Sequence, residues 1–500
     1  MLAASALAVT GTVVAPGAAS AVEAEVEYAA PPLDWQPCAG APGVDCASLE
    51  VPVNWAKPAG EKIKIGLARR KVADPAKRLG AVLMDPGGPG GSGVASVKSR
   101  PLFTQAVRER FDQVGFDPRG INTSTQLRCD QDLAGQALNA RHPASQADFD
   151  RLATLNRQLH DSCRANSGAL AENVDNLATV RDMDAIRAAL GEKKLTYVGY
   201  SYGTIMGQQY AERFPHRIRA FVLDGNMDHS LRTAWDFMRT ETAPVEKSFL
   251  NFAQWCDTSD KCALKGQDTK AVYAGLREKA RAGTLVDPSG QKIDFYTLSR
   301  YAFSAGSPSS WASLGEVLKT LRDGAATDAA LPQPAAVGNV PYPSIWCSDW
   351  SFPVRDYAEY KGLRERLARQ FPNVQWSPYV DHALTCVNSG TKNTNPQRPL
   401  HIRNAPPLVM VGNINDPATT YEWNVTAARQ SGAHLITYEG YGHTAYGDNG
   451  RSPCVNAAVE DYLVNLKPPK RGLSCPATEV PGGATDSLDL PGISPGPWAS

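Results

Sequence analysis

Short apolar runs separated by helix-compatible stretches recur along the chain and predict a mainly parallel β-sheet with helices on both faces. Alternating polar and apolar residues at 63–68 predict an early strand. Helical periodicity is found at 180–190, 204–213 and 457–466. Further predicted strands share a short apolar run bounded by turn residues, and they cover 81–84, 114–116, 195–198, 218–223, 407–411 and 435–438.

This alternation stops between residues 225 and 398, where the sequence is rich in helix-forming stretches and turns. We therefore expect one α/β core, formed by 35–224 and 399–477, with a large helical cap inserted at 225–398. A leader is expected at 22–34. The composition of the Pro- and Gly-rich tail at 478–500 predicts disorder.

The N-terminus, residues 1–21, has the composition of a secretory signal peptide and ends in an A-x-A cleavage pattern at 19–21. It lacks a basic n-region, which is consistent with Met1 lying inside a longer precursor. A membrane anchor is the alternative. Pro16 and Gly17 interrupt the apolar run short of the ~20 residues that a span needs. We expect a secreted, extracellular protein with no membrane partner.

Ten cysteines accompany this export signal, and an even number in an exported chain implies disulfides. The sequence alone does not fix which cysteine pairs with which. The sequence has no C-x-x-C pattern and no cysteine at zinc-ligand spacing from a histidine pair. Neither a metal nor an organic cofactor is expected. Pairs between sequential neighbours would be 38–46, 129–163, 256–262, 347–386 and 454–475.

The formal charges balance, with 51 Lys and Arg against 51 Asp and Glu. Nothing electrostatic therefore points to nucleic acid or to an anionic membrane surface as a partner. We expect a monomer.

The strongest chemical signal is the G-x-S-x-G motif at 199–203. It follows one predicted strand and precedes a predicted helix, so Ser201 would lie on a sharp turn between them. Glycines on both sides of the motif permit a strained backbone that lifts the hydroxyl above the strand end. The motif alone is weak, but this context favours Ser201 as a nucleophile.

A serine nucleophile needs a base and a group that holds the base. Asp416 follows the strand predicted at 407–411, and His443, flanked by glycine, follows the one predicted at 435–438. Open parallel sheets place their sites at the carboxyl ends of strands, and the order Ser, Asp, His is that of an α/β-hydrolase triad. Taken alone, Asp416 could equally cap a turn before Pro417. None of the other seven histidines both follows a late strand and has glycine beside it.

The glycine-rich loop at 85–93 is the second chemical element. Acyl transfer needs two N–H donors that converge on the oxyanion. We expect one from Tyr202 and the other from Gly88, with Gly87 the next candidate. A phosphate-binding loop is the alternative, but the G-K-[ST] ending is missing.

Several motifs together resemble the secreted tripeptidyl aminopeptidases of actinomycete bacteria and the related prolyl aminopeptidases. Residues 86–90 resemble the H-G-G-P-G loop of prolyl aminopeptidases, with Pro86 in place of histidine. Residues 116–120 are similar to their D-Q-R-G segment, and 199–203 to their nucleophile elbow. With the block that contains Asp416 and His443, the resemblance covers most of residues 35–475.

This resemblance implies an α/β-hydrolase fold and an extracellular serine exopeptidase that releases short peptides, often tripeptides, from free N-termini. It makes Asp117 and Arg119 structural or site-supporting residues. A buried ion pair is an equally open role for Arg119.

An exopeptidase must bind an α-ammonium group and block a longer chain, which calls for a carboxylate and a wall near Ser201. Two alternatives stay open: a secreted carboxylesterase or lipase with the same triad, and a binding protein on a decayed hydrolase scaffold. The insertion offers acidic and aromatic candidates for these two parts. For each of them taken alone, a solvated helix face or a core position is the ordinary explanation. The acidic candidates in the insertion are Asp228, Asp236, Glu241, Glu246 and Asp349, and the candidate pocket aromatics are Trp235, Trp346 and Trp350.

Overall fold

The structure is a computed structural model that describes residues 28, 30–324, 342–447 and 452–483. The predicted signal peptide and most of the predicted leader lie outside the described residues, as does the last part of the predicted tail.

One mixed sheet forms the centre of the fold, in the order β1-β2-β3-β5-β4-β6-β7-β8-β9-β10. Each of the first four strands in this order is antiparallel to its neighbour among them. Every neighbouring pair from β5 to β10 is parallel. The strands of the described ranges are β1 (Gln36–Pro37), β2 (Asp45–Pro52), β3 (Lys62–Arg70), β4 (Gly80–Asp85), β5 (Phe111–Phe116), β6 (Leu195–Tyr200), β7 (Ile218–Asp224), β8 (Val409–Asn415), β9 (His434–Tyr441) and β10 (Ser474–Cys475).

Fourteen α-helices accompany the sheet in the described residues. Each of them is too short or too polar to cross a bilayer. They are α1 (Gly93–Ser99), α2 (Gln105–Arg108), α3 (Gln131–Asn139), α4 (Gln146–Ser167), α5 (Asn176–Ala189), α6 (Gly203–Arg213), α7 (Ala234–Thr258), α8 (Thr269–Arg281), α9 (Phe295–Phe303), α10 (Trp311–Asp323), α11 (Tyr342–Asp349), α12 (Tyr357–Gln370), α13 (Tyr421–Ser431) and α14 (Pro453–Asn465).

The central strands are buried on both faces, which explains why they read as continuous apolar runs. In β4, Leu83 packs into one apolar core with residues of α5 and α6. Its neighbour Val82 points to the opposite face, into a core with α1 and α14. Alternate side chains of each central strand therefore serve two separate cores, as strand geometry requires.

The cap prediction corresponds to α7–α12, which lie between β7 and β8 in the chain. Four of these helices, α7 to α10, share a third apolar core of their own that includes Phe249, Tyr273 and Trp311. Within the described part of this insertion, the β-structure is one isolated bridge between Val286 and Lys292. The insertion is thus a mainly helical unit.

Strand and helix bounds differ from the sequence predictions at the ends. β5 begins at Phe111 rather than 114, because Asp112 and Gln113 are buried despite their polarity. β8 runs from Val409 to Asn415, so it reaches Asp416 directly instead of ending at 411. The sequence analysis missed β2 entirely. β2 is half exposed and lies on the antiparallel side of the sheet, so its apolar signal is weak.

All ten cysteines form disulfides between sequential neighbours, which confirms the use of disulfides. Cys454–Cys475 joins α14 to β10, and Cys347–Cys386 lies in the helical insertion. The others are Cys38–Cys46, Cys129–Cys163 and Cys256–Cys262.

The last described residues connect the core to the helical insertion. Glu479 accepts a hydrogen bond from the hydroxyl of Tyr438 in β9 (2.7 Å). Three residues later the N–H of Gly482 donates to the carbonyl of Pro308 in the insertion (2.9 Å). The predicted tail therefore begins with a segment that contacts both parts of the fold.

Arg119, in the loop after β5, has a structural position. Its guanidinium is fully buried and makes a two-pronged ion pair with Asp182 of α5, at 2.7 and 2.6 Å. It also donates to the carbonyls of Pro52 and Val53. Arg119 thus joins three segments of the core, and the buried ion pair is the role that the structure supports. Asp117 accepts hydrogen bonds from Ser92 and from the loop after β5.

Candidate active site

Ser201 lies at the sharp turn between β6 and α6. Its φ is 53°, in the left-handed region that is unfavourable for a residue with a Cβ. The Ser201 N–H donates to the carbonyl of Asp224 at the end of β7 (2.9 Å), which fixes the turn against the sheet. A Cβ at Gly203 would lie 2.7 Å from an oxygen of Asp85, so this position requires glycine for close contact. The backbone conformation is that of a nucleophile elbow.

Asp416 and His443 meet at the carboxyl ends of β8 and β9. The Nδ1 atom of His443 lies 3.0 and 3.2 Å from the two carboxylate oxygens of Asp416, which is fully buried. Asp416 also accepts from the N–H groups of Ala418 and Thr419 and from the Thr419 hydroxyl. Burial by itself would raise the pKa of Asp416, but the His443 ring and these donors hold it below its usual value. Asp416 is therefore ionised at neutral pH and can orient an imidazole.

The loop that carries His443 is held from two strands. Asp224 of β7 accepts from the two successive backbone N–H groups of residues 445–446, both at 2.8 Å. Asn413 of β8 donates to the carbonyls of the residues on both sides of His443, at 2.7 and 3.1 Å. Burial raises the pKa of Asp224 to about 6, although the two N–H groups oppose the shift. His443 is thus fixed by contacts on both sides of its loop.

The glycine-rich loop after β4 lies against the nucleophile turn. A Cβ on Gly87 would come within 2.9 Å of both the Ser201 Cβ and the Tyr202 nitrogen. The Gly87 N–H is already committed, because it donates to Asp85 (2.8 Å). Within the described residues, the Gly88 N–H has no acceptor, and the Tyr202 N–H precedes the first turn of α6, where no i−4 carbonyl can receive it. Between the two glycine candidates, the geometry favours Gly88.

Asp85, the last residue of β4, is buried beneath this loop. Burial raises the pKa of Asp85 to about 8 against the opposing effect of the Gly87 N–H, and the nearby charge of Asp117 raises it further. Its Oδ2 atom has no hydrogen-bond partner. Asp85 is therefore largely uncharged at neutral pH. It places little negative charge under the position where an oxyanion would form.

A cavity of about 170 Å³ joins these parts. Ser201 and His443 line it from the core, with Tyr202 and the loop at 86–91 beside them. The helical insertion contributes the opposite wall, whose residues are mostly aromatic apart from one carboxylate. These wall residues are Glu241, Tyr342, Trp346, Tyr379 and His382.

Glu241 is the acidic candidate of the insertion that lines this cavity. Glu241 is 3 % exposed, and no hydrogen bond or ion pair joins its side chain to a described residue. Burial, with the nearby charge of Asp416, raises the pKa of Glu241 well above its usual value. Burying a carboxylate without a partner costs free energy, and groups with strongly shifted pKa values cluster at functional sites.

The other four acidic candidates have partners within the fold. Asp228 accepts from Ser230, and Asp236 from Thr233. Glu246 accepts from Asn373 and Val374. Asp349 accepts from Asn176, Asn395 and the hydroxyl of Tyr202.

Among the candidate aromatics, Trp346 lines the cavity, and Trp350 stacks behind it with ring centroids 5.1 Å apart. Trp235 packs under the guanidinium of Arg366 instead.

Sequence reasoning missed several residues that organise this site. Asp224 and Asn413 act through hydrogen bonds to residues distant in sequence, and Thr419 acts through its hydroxyl on Asp416, three residues before it. Asp224 carried one usable signal, a carboxylate directly after a buried strand. No group of three or more His, Cys, Asp or Glu side chains able to hold a metal ion occurs within the described ranges.

Two family models match the chain. One, described as the alpha/beta hydrolase fold, matches residues 80–264, and the other, described as TAP-like protein, matches residues 372–475. The two matches flank the larger part of the helical insertion.

Three curated proteins show related sequences over most of their length. The tripeptidyl aminopeptidase of Streptomyces lividans is 30% identical over 482 residues, covering 90% of this chain and 87% of that protein. The serine protease Hip1 of Mycobacterium tuberculosis is 30% identical over 489 residues, covering 89% and 91%. Carboxylesterase B of Mycobacterium tuberculosis is 31% identical over 459 residues, covering 86% of each.

Proposed function

The chain belongs to the tripeptidyl aminopeptidase family of α/β hydrolases, and from that membership we propose that it is a secreted serine exopeptidase that releases tripeptides from free N-termini. It is a serine hydrolase by family. The secretion part of the proposal is supported by the five disulfides, which are typical of exported proteins.

In the proposed mechanism, His443 takes the proton of the Ser201 hydroxyl as the oxygen attacks the scissile carbonyl. Asp416 holds the imidazole in the required tautomer and stabilises the imidazolium. The N–H groups of Gly88 and Tyr202 bind the oxyanion. His443 then gives its proton to the leaving amine, and water hydrolyses the ester on Ser201.

The observation that carries the exopeptidase proposal is the Glu241 carboxylate. It lies in the cavity that Ser201 also lines, without a partner among the described residues. A substrate α-ammonium would give this carboxylate the countercharge that the fold does not supply. A substrate with a blocked N-terminus would leave it unpaired. The same aromatic wall would stop a longer chain from extending past Glu241.

We expect the wild-type protein to hydrolyse a tripeptide p-nitroanilide with a free N-terminus far better than its N-acetylated form. Glu241→Gln should lower kcat/KM for the free substrate by roughly 30- to 1000-fold, because the buried ammonium loses its partner. The same substitution should have little effect on the acetylated substrate. The ratio of the two kcat/KM values is the quantity to measure.

The ratio of kcat/KM for the free substrate to kcat/KM for the acetylated substrate should change with pH in a defined direction. Because the pKa of Glu241 is raised, at low pH the free enzyme holds a proton there that the substrate ammonium must displace. The free-to-acetylated ratio should therefore rise with pH and then fall as the α-amine loses its proton near pH 8.

Glu246→Gln is the matched control, since Glu246 lies on the same helix but accepts from Asn373 and Val374. It should lower stability and leave the ratio unchanged. Equal hydrolysis of free and acetylated substrates by the wild type would rule out the exopeptidase.

A carboxylesterase is the second candidate, favoured by the similarity to carboxylesterase B. It would hydrolyse short p-nitrophenyl esters and leave peptide anilides intact. The ester and anilide assays therefore separate the two functions. A binding protein without catalysis would hydrolyse neither.

A further inference from the structure

A second cavity, of about 450 Å³, lies on the other side of His443. It shares Pro86 and His443 with the cavity that contains Ser201 and Glu241. Among the described residues, its remaining wall comes from the core: Met84 of β4, Tyr200 of β6, the end of α1 with the loop that follows it, and the segment after His443. Of the described residues of the helical insertion, some line the first cavity and none lines the second.

The position of this cavity matches the path of the leaving segment in the proposed mechanism. His443 must protonate the leaving amine, so the segment beyond the scissile bond has to pass beside its ring. The acyl side of the substrate would be held in the first cavity by Glu241. The substrate residues that follow the scissile bond would then lie in the second cavity.

Arg100 gives the second cavity its charge. It is exposed and makes no hydrogen bond or ion pair with a described residue. Among the described residues that line the cavity, the ionisable groups besides Arg100 and His443 are the phenols of Tyr200 and Tyr446, whose pKa values burial raises well above the usual value.

Two further charged groups lie close behind this wall, Asp224 and Glu460, and the charge of Glu460 acts on the phenol of Tyr446. The Asp224 carboxylate is buried and bonded to the N–H groups of residues 445–446, so it does not neutralise Arg100 at the cavity surface.

We propose that this cavity binds the leaving segment of the substrate and that Arg100 selects segments with a carboxylate there. The proposal rests on the proposed peptidase function. The carboxylate has two possible sources, an acidic side chain next to the cut or the C-terminus of a short leaving peptide. Both offer the planar oxygen pair that a guanidinium binds with two hydrogen bonds.

The test uses five pentapeptides with one N-terminal tripeptide and different leaving dipeptides: Glu-Ala-amide, Gln-Ala-amide, Lys-Ala-amide, Ala-Ala-amide and Ala-Ala with a free carboxylate. Mass spectrometry gives kcat/KM for each cut after the third residue. We expect the wild type to prefer Glu over Gln, or free acid over amide, by roughly three- to tenfold, as suits a partly solvated Arg–carboxylate pair. Lys should be the poorest. The preference should weaken at high salt.

Arg100→Gln should bring both ratios close to one, and Arg100→Glu should reverse the order of Glu and Lys. Each ratio compares kcat/KM for two substrates with the same enzyme preparation, so a loss of folded protein in a variant does not change it. Lys98→Gln, which removes a positive charge from α1 but does not line the cavity, should keep the wild-type ratios.

The Glu/Gln pair and the acid/amide pair show which carboxylate source is used. Ratios near one in the wild type would overturn the inference, and so would ratios that are unchanged in Arg100→Gln. In either case, cleavage after the third residue would still support the peptidase function. Absence of any cut would overturn both.

Discussion

Ser201→Ala is expected to lower kcat on the tripeptide anilide by about 10⁴- to 10⁶-fold while the protein stays folded. The attacking oxygen is removed, so only the oxyanion donors and substrate binding remain to lower the barrier. Alanine has the same backbone preferences as serine at the φ of 53°, so the turn should be kept. The measurement pairs steady-state kinetics with the thermal unfolding midpoint.

Ser474→Ala provides the control for this variant. Ser474 lies in β10 at the edge of the sheet and donates to Glu439, away from the cavity. It should keep wild-type kinetics. Substantial activity in folded Ser201→Ala would show that another group performs the attack.

Asp416→Asn should give the second largest effect, a loss of roughly 10⁴-fold in kcat at neutral pH. Asparagine fits the same space, but its amide cannot accept from Nδ1 as a carboxylate does. The change removes the negative charge that stabilises the imidazolium, and it favours the tautomer of His443 that cannot take the serine proton. The pH profile of kcat is the more informative readout, because loss of the carboxylate should shift the apparent pKa of the base downward.

Asp224→Asn is the matched comparison, since Asp224 is also buried and close to His443 but bonds the N–H groups of residues 445–446 rather than the ring. It should reduce kcat much less, and it should shift the apparent pKa of the base less than Asp416→Asn does. An equal loss in the two variants would mean that loop position, not the Asp416 carboxylate, limits the rate.

The parts of the fold that could be predicted are those whose local pattern is set by burial. β4, β6 and β7 are largely apolar runs because both faces of the sheet are covered there, and their predicted positions agree with the structure to within a few residues. β2 was missed because Asp45, Ser48 and Glu50, which are exposed or half-buried, interrupt its apolar residues.

The candidate site divides in the same way. Ser201, Asp416 and His443 carried signals because each follows a strand within a few residues. Glu241 could be named only as one of five carboxylates. It differs from the others in having no partner, a property that depends on folding and not on the residues beside it.

The central claim is that hydrolysis proceeds through an acyl group on Ser201. The direct test is to mix the wild-type protein with a tripeptide p-nitrophenyl ester, quench in acid within the burst phase, and locate the adduct by mass spectrometry. We predict a mass increase equal to one tripeptidyl group, on the peptide that contains Ser201. Turnover without an adduct, or an adduct on a different residue, would contradict it.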